Sequence, residues 1–327
     1  MKHAEKMGER PKHLTTLKQT QERLRKTVPG ATPVSSLGTP PANDNQLDFF
    51  VPALHDIPVK DGVGLMDIAV FRLSRRQRRN AEILRHETNK AVIEVSSGAY
   101  GMATIDDYDI VLMAISHLAD AVKRYRQGRG PKPGKVFRPH SAEVLKFRRS
   151  TTGGKQYADV ERALDRLNTT RIKITGKNRH SRLRDSDGFG LIERYRVVSR
   201  TDTGRIGLIE ITIPDWIYDG VMTHKTPEIL TVNPDYFLIR GGLARFIYRL
   251  ARKAAGVDTA SYSFRSIYAR SGSTRQYRKF CFDLRCLIAA NDLPDYRLTE
   301  IQGQDGPMLH MAACFGTPTL ENRATDS

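Results

Sequence analysis

Hydrophobic positions over residues 141–175 follow an order that predicts a helix, a turn, a second helix and a strand. Apolar residues of the second helix recur at spacings of three and four, which places them on one buried face. These residues are Tyr157, Val160, Ala163, Leu164 and Leu167. A short helix, a glycine-bearing turn at 150–154 and a basic second helix leading into a strand are typical of a winged helix-turn-helix. The pattern therefore predicts binding to duplex DNA.

Patterns on either side predict more elements of an α+β fold. We expect a strand at 65–72, a hairpin from 81–87 and 91–95, and a long helix from about Thr104 to Gln127 with Asp107 in a capping box. The buried stripe of that helix is Tyr108, Val111, Leu112, Ile115, Leu118 and Val122. Strands at 190–199 and 205–213 are expected to complete the first sheet, and Pro214 to begin a short helix at 215–221.

The second half of the chain repeats the first pattern. A helix is predicted from about Pro234 to Ala255, then a second helix pair over 263–290 and a final hairpin with its tip at 302–307. The pairs Arg149-Ser150 and Gln156-Tyr157 match Arg270-Ser271 and Gln276-Tyr277, one residue shorter. Because helix phase, turn position and charge agree, we predict two tandem winged-helix domains related by duplication.

Composition shifts set the predicted boundaries. Residues 1–45 are basic and rich in Pro, Gly, Ser, Thr and Asn towards their end, which favours a disordered N-terminal tail. We predict the first winged-helix domain over 46–221, a connection over 222–233, the second domain over 234–315 and a disordered tail over 316–327.

The charge is large and unevenly placed. The 327 residues carry a net charge of +17. Residues 123–200 hold 22 Lys and Arg against 7 Asp and Glu, and residues 240–290 hold 11 against 2. Two separate basic blocks favour two anion-binding surfaces, and nucleic acid is the commonest partner of such a basic chain.

Candidate DNA contacts follow from these blocks. We expect base contacts from the second helix of each pair, since Arg and Lys suit guanine and Gln suits adenine. These residues are Lys155, Gln156, Asp159, Arg162 and Arg166 in the first domain and Arg275, Gln276, Arg278 and Lys279 in the second. Asp159 has an alternative role, to cap the helix or orient Arg162. The loop after the first strand is interpreted as a basic wing that contacts phosphates or the minor groove through Lys177, Arg179, Arg182 and Arg184.

Signs of catalysis or cofactor binding are absent from the sequence. The only approximation to a P-loop, GRGPKPGKV at 128–136, has the wrong glycine spacing, and the nine histidines never lie within five positions of one another. The chain has three cysteines, Cys281, Cys286 and Cys314, and this small number suggests a reducing compartment. No two of them have the spacing of zinc ligands. We expect no catalytic residues, metal or cofactor, no membrane span or signal peptide, and a cytoplasmic protein that is not an enzyme.

A short segment after the tail suggests a protein partner. Gln46-Leu47-Asp48-Phe49-Phe50 resembles the motif with which bacterial polymerases and initiators dock on the sliding clamp, a Gln and a Leu followed by an aromatic pair. The alternative is that Leu47, Phe49 and Phe50 anchor the first segment to the core.

Three segments carry a resemblance that covers residues 46–315: LDFFVPALHDIPVKDGVGLMDIAVFRLS (47–74), GMATIDDYDIVLMAISHLADAVKRY (101–125) and QYADVERALDRLNTTRIKIT (156–175). In these the chain resembles the plasmid replication initiator protein A family of Gram-negative bacteria. The resemblance implies an origin-binding protein that occupies repeated sites (iterons) and helps to open an adjacent A+T-rich stretch. It further implies recruitment of the host replicative helicase or its loader, and homodimers that repress their own promoter.

Two alternatives use the same or similar elements. A transcriptional repressor alone shares the fold, although simple repressors usually carry one such domain per chain. A DNA nickase or recombinase would need a catalytic Tyr or acidic cluster, and Asp106, Asp107 and Asp109 are explained by helix capping and by the helix dipole.

Overall fold

A computed structural model describes residues 58–59, 68–74, 83–87, 91–151, 153–176, 186–202, 204–223 and 230–314. These ranges contain seven α-helices and four antiparallel sheets. The helices are α1 (Tyr108–Arg126), α2 (Ser141–Phe147), α3 (Gly154–Thr169), α4 (Asp215–Thr223), α5 (Gly242–Ala254), α6 (Phe264–Ser271) and α7 (Tyr277–Ala290). The strands are β1 (Pro58–Val59), β2 (Leu84–Glu87), β3 (Ala91–Ser96), β4 (Val136–Phe137), β5 (Arg171–Gly176), β6 (Ser186–Gly190), β7 (Arg194–Val197), β8 (Ile209–Thr212), β9 (Leu230–Thr231), β10 (Thr259–Ser263), β11 (Tyr296–Gly303) and β12 (Gly306–Ala313).

Helix α1 is the central helix of the first half. Its predicted capping box is present, because the Thr104 amide donates to the Asp107 carboxylate at 2.8 Å and the Asp107 amide donates to Thr104 Oγ1 at 3.3 Å. All six residues of the predicted stripe are buried. The helix ends in a basic turn and Gly128, whose φ of +68° lies in the left-handed region that favours glycine.

The helix pair α2–α3 forms where the pattern predicts it. Val160, Ala163, Leu164 and Leu167 of α3 are buried, while its opposite face is polar. Strand β5 follows after one residue and pairs with β3 and β6, so that the four-stranded sheet has the order β2–β3–β5–β6.

Each half contains a three-stranded sheet, and the order of strands is the same in both. The sequence pattern predicts a duplication but not this order. In the second half β10 precedes α6 and α7, β11 and β12 form a hairpin after them, and the sheet order is β10–β12–β11. In the first half β4 precedes α2 and α3, β7 and β8 form a hairpin further on, and the order is β4–β8–β7. Strands β5 and β6 are therefore an addition that only the first half carries between its second helix and its hairpin.

The hydrophobic core is continuous between the halves. Phe147 at the end of α2 packs on Phe237, with ring centroids 4.8 Å apart. The buried Arg249 of α5 lies over the rings of Tyr108 at 4.7 Å and Phe71 at 5.0 Å. One cluster of buried residues extends from Ile68 to Met311. The predicted boundary at 222–233 therefore lies between units whose cores are joined, and the division into domains stays a prediction.

The described structure corrects three predicted elements. Residues 68–72 of the predicted strand make one isolated bridge, Arg72 with Thr104, and the backbone groups of this segment bond to Ala103, Ile105 and Arg270. The helix predicted from Pro234 is a 3-10 turn (Pro234–Leu238) followed by α5, and the break lies at Gly241, which has φ of +88°. Strands at 190–199 and 205–213 form β7 and β8 but join β4 and not the sheet of β5, since β6 occupies that edge.

Candidate nucleic-acid interface

Some of the residues of helix α3 that are predicted to contact DNA bases face solvent. Lys155 and Arg162 are exposed, and Gln156 is half-buried with its amide donating to Thr151 Oγ1 at 3.1 Å. Asp159 accepts a hydrogen bond from Arg162 Nη2 at 2.5 Å. The Arg162 side chain keeps 57% exposure, so Asp159 holds a guanidinium that still faces water. This contact supports the orienting role for Asp159 over a direct base contact.

Arg166, the last predicted base contact of α3, is turned towards the protein. Its Nε and Nη2 donate to the two oxygens of Asp107 at 2.8 Å each, and its side chain is only 17% exposed. Burial raises the pKa of Asp107, but the hydrogen bonds and charge of Arg166 outweigh it and leave that pKa below its ordinary value. The same bond raises the pKa of Arg166. This bidentate pair fixes α3 against the N-terminus of α1 and argues against a base contact from Arg166.

The β7–β8 hairpin brings two further arginines to α3. Arg200 donates to both carboxylate oxygens of Glu161, at 2.6 and 3.3 Å, and Arg205 lies 5.8 Å from the ring centroid of Tyr157. Both arginines are exposed. Sequence reasoning did not select them, although its two predicted strands left residues 200–204 at a hairpin tip. The missing signal was their pairing with α3, which depends on the fold.

The second unit places all four predicted residues at the surface. Arg275, Gln276, Arg278 and Lys279 are exposed where α7 begins. Arg275 forms an ion pair with Asp283, and the Lys279 ammonium lies 4.9 Å from the Phe282 ring centroid. A hydrogen bond from α6 holds the segment that precedes α7, because Tyr268 Oη donates to the Arg275 carbonyl at 2.6 Å.

Several predicted residues fall outside the described ranges. Among them are the four cations of the predicted wing, Lys177, Arg179, Arg182 and Arg184, and the whole segment Gln46-Leu47-Asp48-Phe49-Phe50. Their roles stay predictions.

The two acidic neighbours of Asp107 are also structural. Asp109 is fully buried and accepts from Arg245 Nη1 at 2.8 Å, with Arg148 Nε 3.8 Å away. Burial raises the pKa of Asp109 against the pull of these two cations. Asp106 lies 3.2 Å from Arg245. The predicted role of helix-dipole charge therefore leaves out the ion pairs that these acids form with Arg148, just after α2, and with Arg245 of α5.

Residue types that bind metal ions do not cluster in the described part of the chain. Within it, no group of three or more His, Cys, Asp and Glu residues could hold a metal ion. Its three cysteines are free thiols, and Cys281 is buried. None of the helices that the structure describes is long and apolar enough to cross a membrane. The exposed groups on α3, α7 and the β7–β8 hairpin are suited to binding an anionic surface.

Comparisons with known proteins agree with the resemblance seen in the sequence. The family profile described as Replication initiator protein A matches residues 60–298. A Wigglesworthia glossinidia brevipalpis protein named "Putative replication protein" is 31% identical over 220 residues, which cover 65% of this chain and 75% of that protein. Two crystal structures of domains 2 and 3 of RctB have a similar fold. One has a TM-score of 0.54 at 15% identity over 76% of this chain and 96% of that one, and the other 0.50 at 14% over 75% and 95%.

Proposed function

Because this chain belongs to the replication initiator protein A family, we propose that it binds repeated sites at a plasmid origin through two winged-helix units and helps to open the origin. One observation carries the proposal: both halves consist of a strand, a helix pair and a hairpin with the same sheet order. In each half the second helix carries exposed cations, which a winged-helix unit would place in the major groove.

The shared strand order suggests which hairpin acts as the first wing. Since β11–β12 follows the second helix pair and pairs with β10, its counterpart is β7–β8, which pairs with β4. We therefore assign Arg200 and Arg205 to phosphate contact. The cations of the loop at 177–185 remain candidates for additional phosphate contacts from the added β5–β6 hairpin.

The revised set of DNA contacts is smaller on α3. We propose that Arg166 positions α3 and does not contact bases, because its guanidinium is hydrogen-bonded to Asp107. Base contacts are proposed from Lys155, Gln156 and Arg162, with Asp159 orienting Arg162. In the second unit Arg275, Gln276, Arg278 and Lys279 keep this role.

Opening of the origin is proposed to use binding free energy without ATP hydrolysis. Many phosphate contacts and DNA bending can supply that energy when several copies load on repeats. Recruitment of the host replicative helicase or its loader, docking on the sliding clamp through residues 46–50, and dimers that repress the chain's own promoter belong to the same proposal.

Footprinting on the DNA that flanks the gene tests the binding proposal. We expect protection of repeated sites by the full chain, and loss of specific protection in Arg162→Ala and Arg278→Ala. Arg85→Ala, at a 62% exposed arginine of β2, is the matched control and should protect normally. Protection without repeats, or equal losses in all three variants, would contradict the assignment.

Two further assays separate the alternatives. A plasmid carrying the gene and its flanking DNA, placed in a host that cannot otherwise maintain it, should replicate; failure with the protein expressed and bound favours the repressor-only function. Supercoiled plasmid with protein and magnesium should stay intact, and nicking abolished by one Tyr or Asp substitution would establish a nickase instead.

A further inference from the structure

A cleft of about 380 Å³ lies on the first half, between the edge strand β6 and the start of α4. Its floor is aromatic: the rings of Phe189 and Trp216 pack at a tilt of 37° with centroids 5.0 Å apart, and both side chains are half-buried. Trp216 is held in place by its indole N–H, which donates to the Gly190 carbonyl at 3.3 Å. Aromatic faces fixed in this way can receive an apolar chain or a cation.

The rim of the cleft is acidic on a protein whose net charge is +17. Asp187, Glu193 and Asp215 are exposed around it, with Arg171 on the same rim. Asp215 pairs with Lys135, whereas Asp187 and Glu193 make no salt bridge within the described residues. An anionic strand of DNA would meet repulsion here, so the rim favours a cationic occupant.

The edge of the sheet is open at the same place. Strand β6 ends the order β2–β3–β5–β6, and no other described strand pairs with its outer side. The sequence Gly188-Phe189-Gly190 lines the cleft. A Cβ at Gly188 would meet nothing within 4 Å, and its φ is not positive, so its own fold does not require glycine there. The space beside Gly188 leaves room for another backbone to approach closely, which is one of the reasons for a glycine within a strand.

We infer that the cleft binds an extended, basic segment of a partner protein, which adds as a strand to the outer edge of β6. Backbone hydrogen bonds would pair the segment with β6, and alternate side chains would enter the cleft. A Lys or Arg of the segment would lie against Trp216, with its charge between Asp187 and Glu193. The residues of this surface are not among those proposed to contact DNA, and the inference adds a protein partner to the proposed function.

Trp216 is the only tryptophan of the chain, so its fluorescence reports on this site alone. The full chain is titrated with the peptide acetyl-Lys-Val-Arg-Val-Lys-Val-amide. We expect a saturable change in emission that weakens at high salt. The acidic peptide acetyl-Glu-Val-Asp-Val-Glu-Val-amide should not bind, nor should the basic peptide with its central Val replaced by Pro, which lacks a backbone donor.

Variants connect the signal to the cleft. The double substitution Asp187→Lys and Glu193→Lys should lower affinity for the basic peptide by about tenfold or more, since it reverses the charge of two rim acids. Asp258→Lys, at an exposed acid that precedes β10, is the matched control and should bind the peptide as the parent does. All variants should keep their affinity for duplex DNA, which separates this proposal from the proposed origin binding.

Three results would overturn the inference. The acidic peptide could bind as tightly as the basic one, or both charge variants could weaken binding equally. A short single-stranded or duplex oligonucleotide could cause the Trp216 change while the basic peptide causes none, which would assign the cleft to nucleic acid.

Discussion

Asp107 shows how one carboxylate can be both a helix cap and a link between helices. It accepts from the Thr104 amide and from two nitrogens of Arg166, so that α1 and α3 share a buried charge. A buried ion that loses its partner strongly destabilises a protein. The Arg166–Asp107 pair therefore positions α3, and the Arg166 guanidinium is not available for a contact with DNA.

The pH dependence of stability tests this role of Asp107. The pKa of Asp107 is lowered in the folded protein, so its stabilising contribution is complete above the ordinary carboxyl pKa of about 4. The contribution is lost as the pH falls through the lower folded value. Asp107→Asn keeps a cap acceptor but leaves Arg166 unpaired, and should lower the free energy of unfolding at pH 7 by about 2 kcal/mol.

Denaturant titrations at pH 7 and pH 3 measure this difference, which should shrink at the lower pH. Asp120→Asn is the control, because Asp120 pairs with Arg124 at the surface and should contribute less than about 0.5 kcal/mol. A difference for Asp107→Asn that stays the same at both pH values would show that its charge is not the cause.

Among elements, the β7–β8 hairpin differs most from what the sequence indicates. Its strands are predicted from the sequence, but the sequence favours the loop at 177–185 as the wing because that loop is basic and lies between two strands. Strand pairing instead supports our proposal that β7–β8 is the wing, since β8 and not β6 joins the strand that precedes the helix pair. Pairing over a long separation leaves no local trace in a sequence, whereas charge does.

Arg205 provides the test of that assignment. Arg205→Ala should weaken binding to specific and random duplexes alike and reduce the slope of log affinity against log salt by about 1, because one phosphate contact is lost. Arg162→Ala should instead cost about 1–3 kcal/mol on the specific site and little on random DNA. Anisotropy titrations at several salt concentrations measure both effects, with Arg85→Ala as the surface control.

An unchanged salt slope in Arg205→Ala, together with a reduced slope in Arg182→Ala, would return the wing to the loop at 177–185. The salt slopes of the two variants therefore show which of the two hairpins contacts the DNA phosphates, a question that composition alone cannot answer.

The amphipathic elements were the predictable part of the fold. Helices α1, α3 and α7 follow from apolar spacing, and the Thr104–Asp107 cap from a local motif. The sequence did not reveal which charges face inward. Arg162 and Arg166 have the same chemistry and lie one turn apart, yet only Arg166 meets a buried acid. That difference depends on residues about 60 positions away, which local spacing cannot indicate.

At the scale of the whole molecule, the two halves are joined by charge as well as by packing. Arg245 at the start of α5 binds Asp109 of α1 and the carbonyls of Phe237 and Ile239, the latter two at 3.0 Å. Gly242 packs so closely on the Leu73 backbone that a Cβ would lie 1.7 Å from its carbonyl oxygen. If α3 and α7 contact DNA as we propose, a junction packed this closely would set their relative register on it.

Gly242→Ala tests that coupling, because the contact is with backbone and cannot be relieved by a rotamer change. We expect a loss of at least about 2 kcal/mol in the free energy of unfolding. In the parent, Trp216 fluorescence and hydrogen exchange of α7 amides should report one transition. In Gly242→Ala the two probes should report different transitions, because the strained junction opens before either half unfolds.

Gly134→Ala, where a Cβ meets nothing within 4 Å, is the control. Coincident transitions in Gly242→Ala, at the stability of the control, would mean that the halves do not depend on this junction, and their register on DNA would then have to be set by the DNA itself.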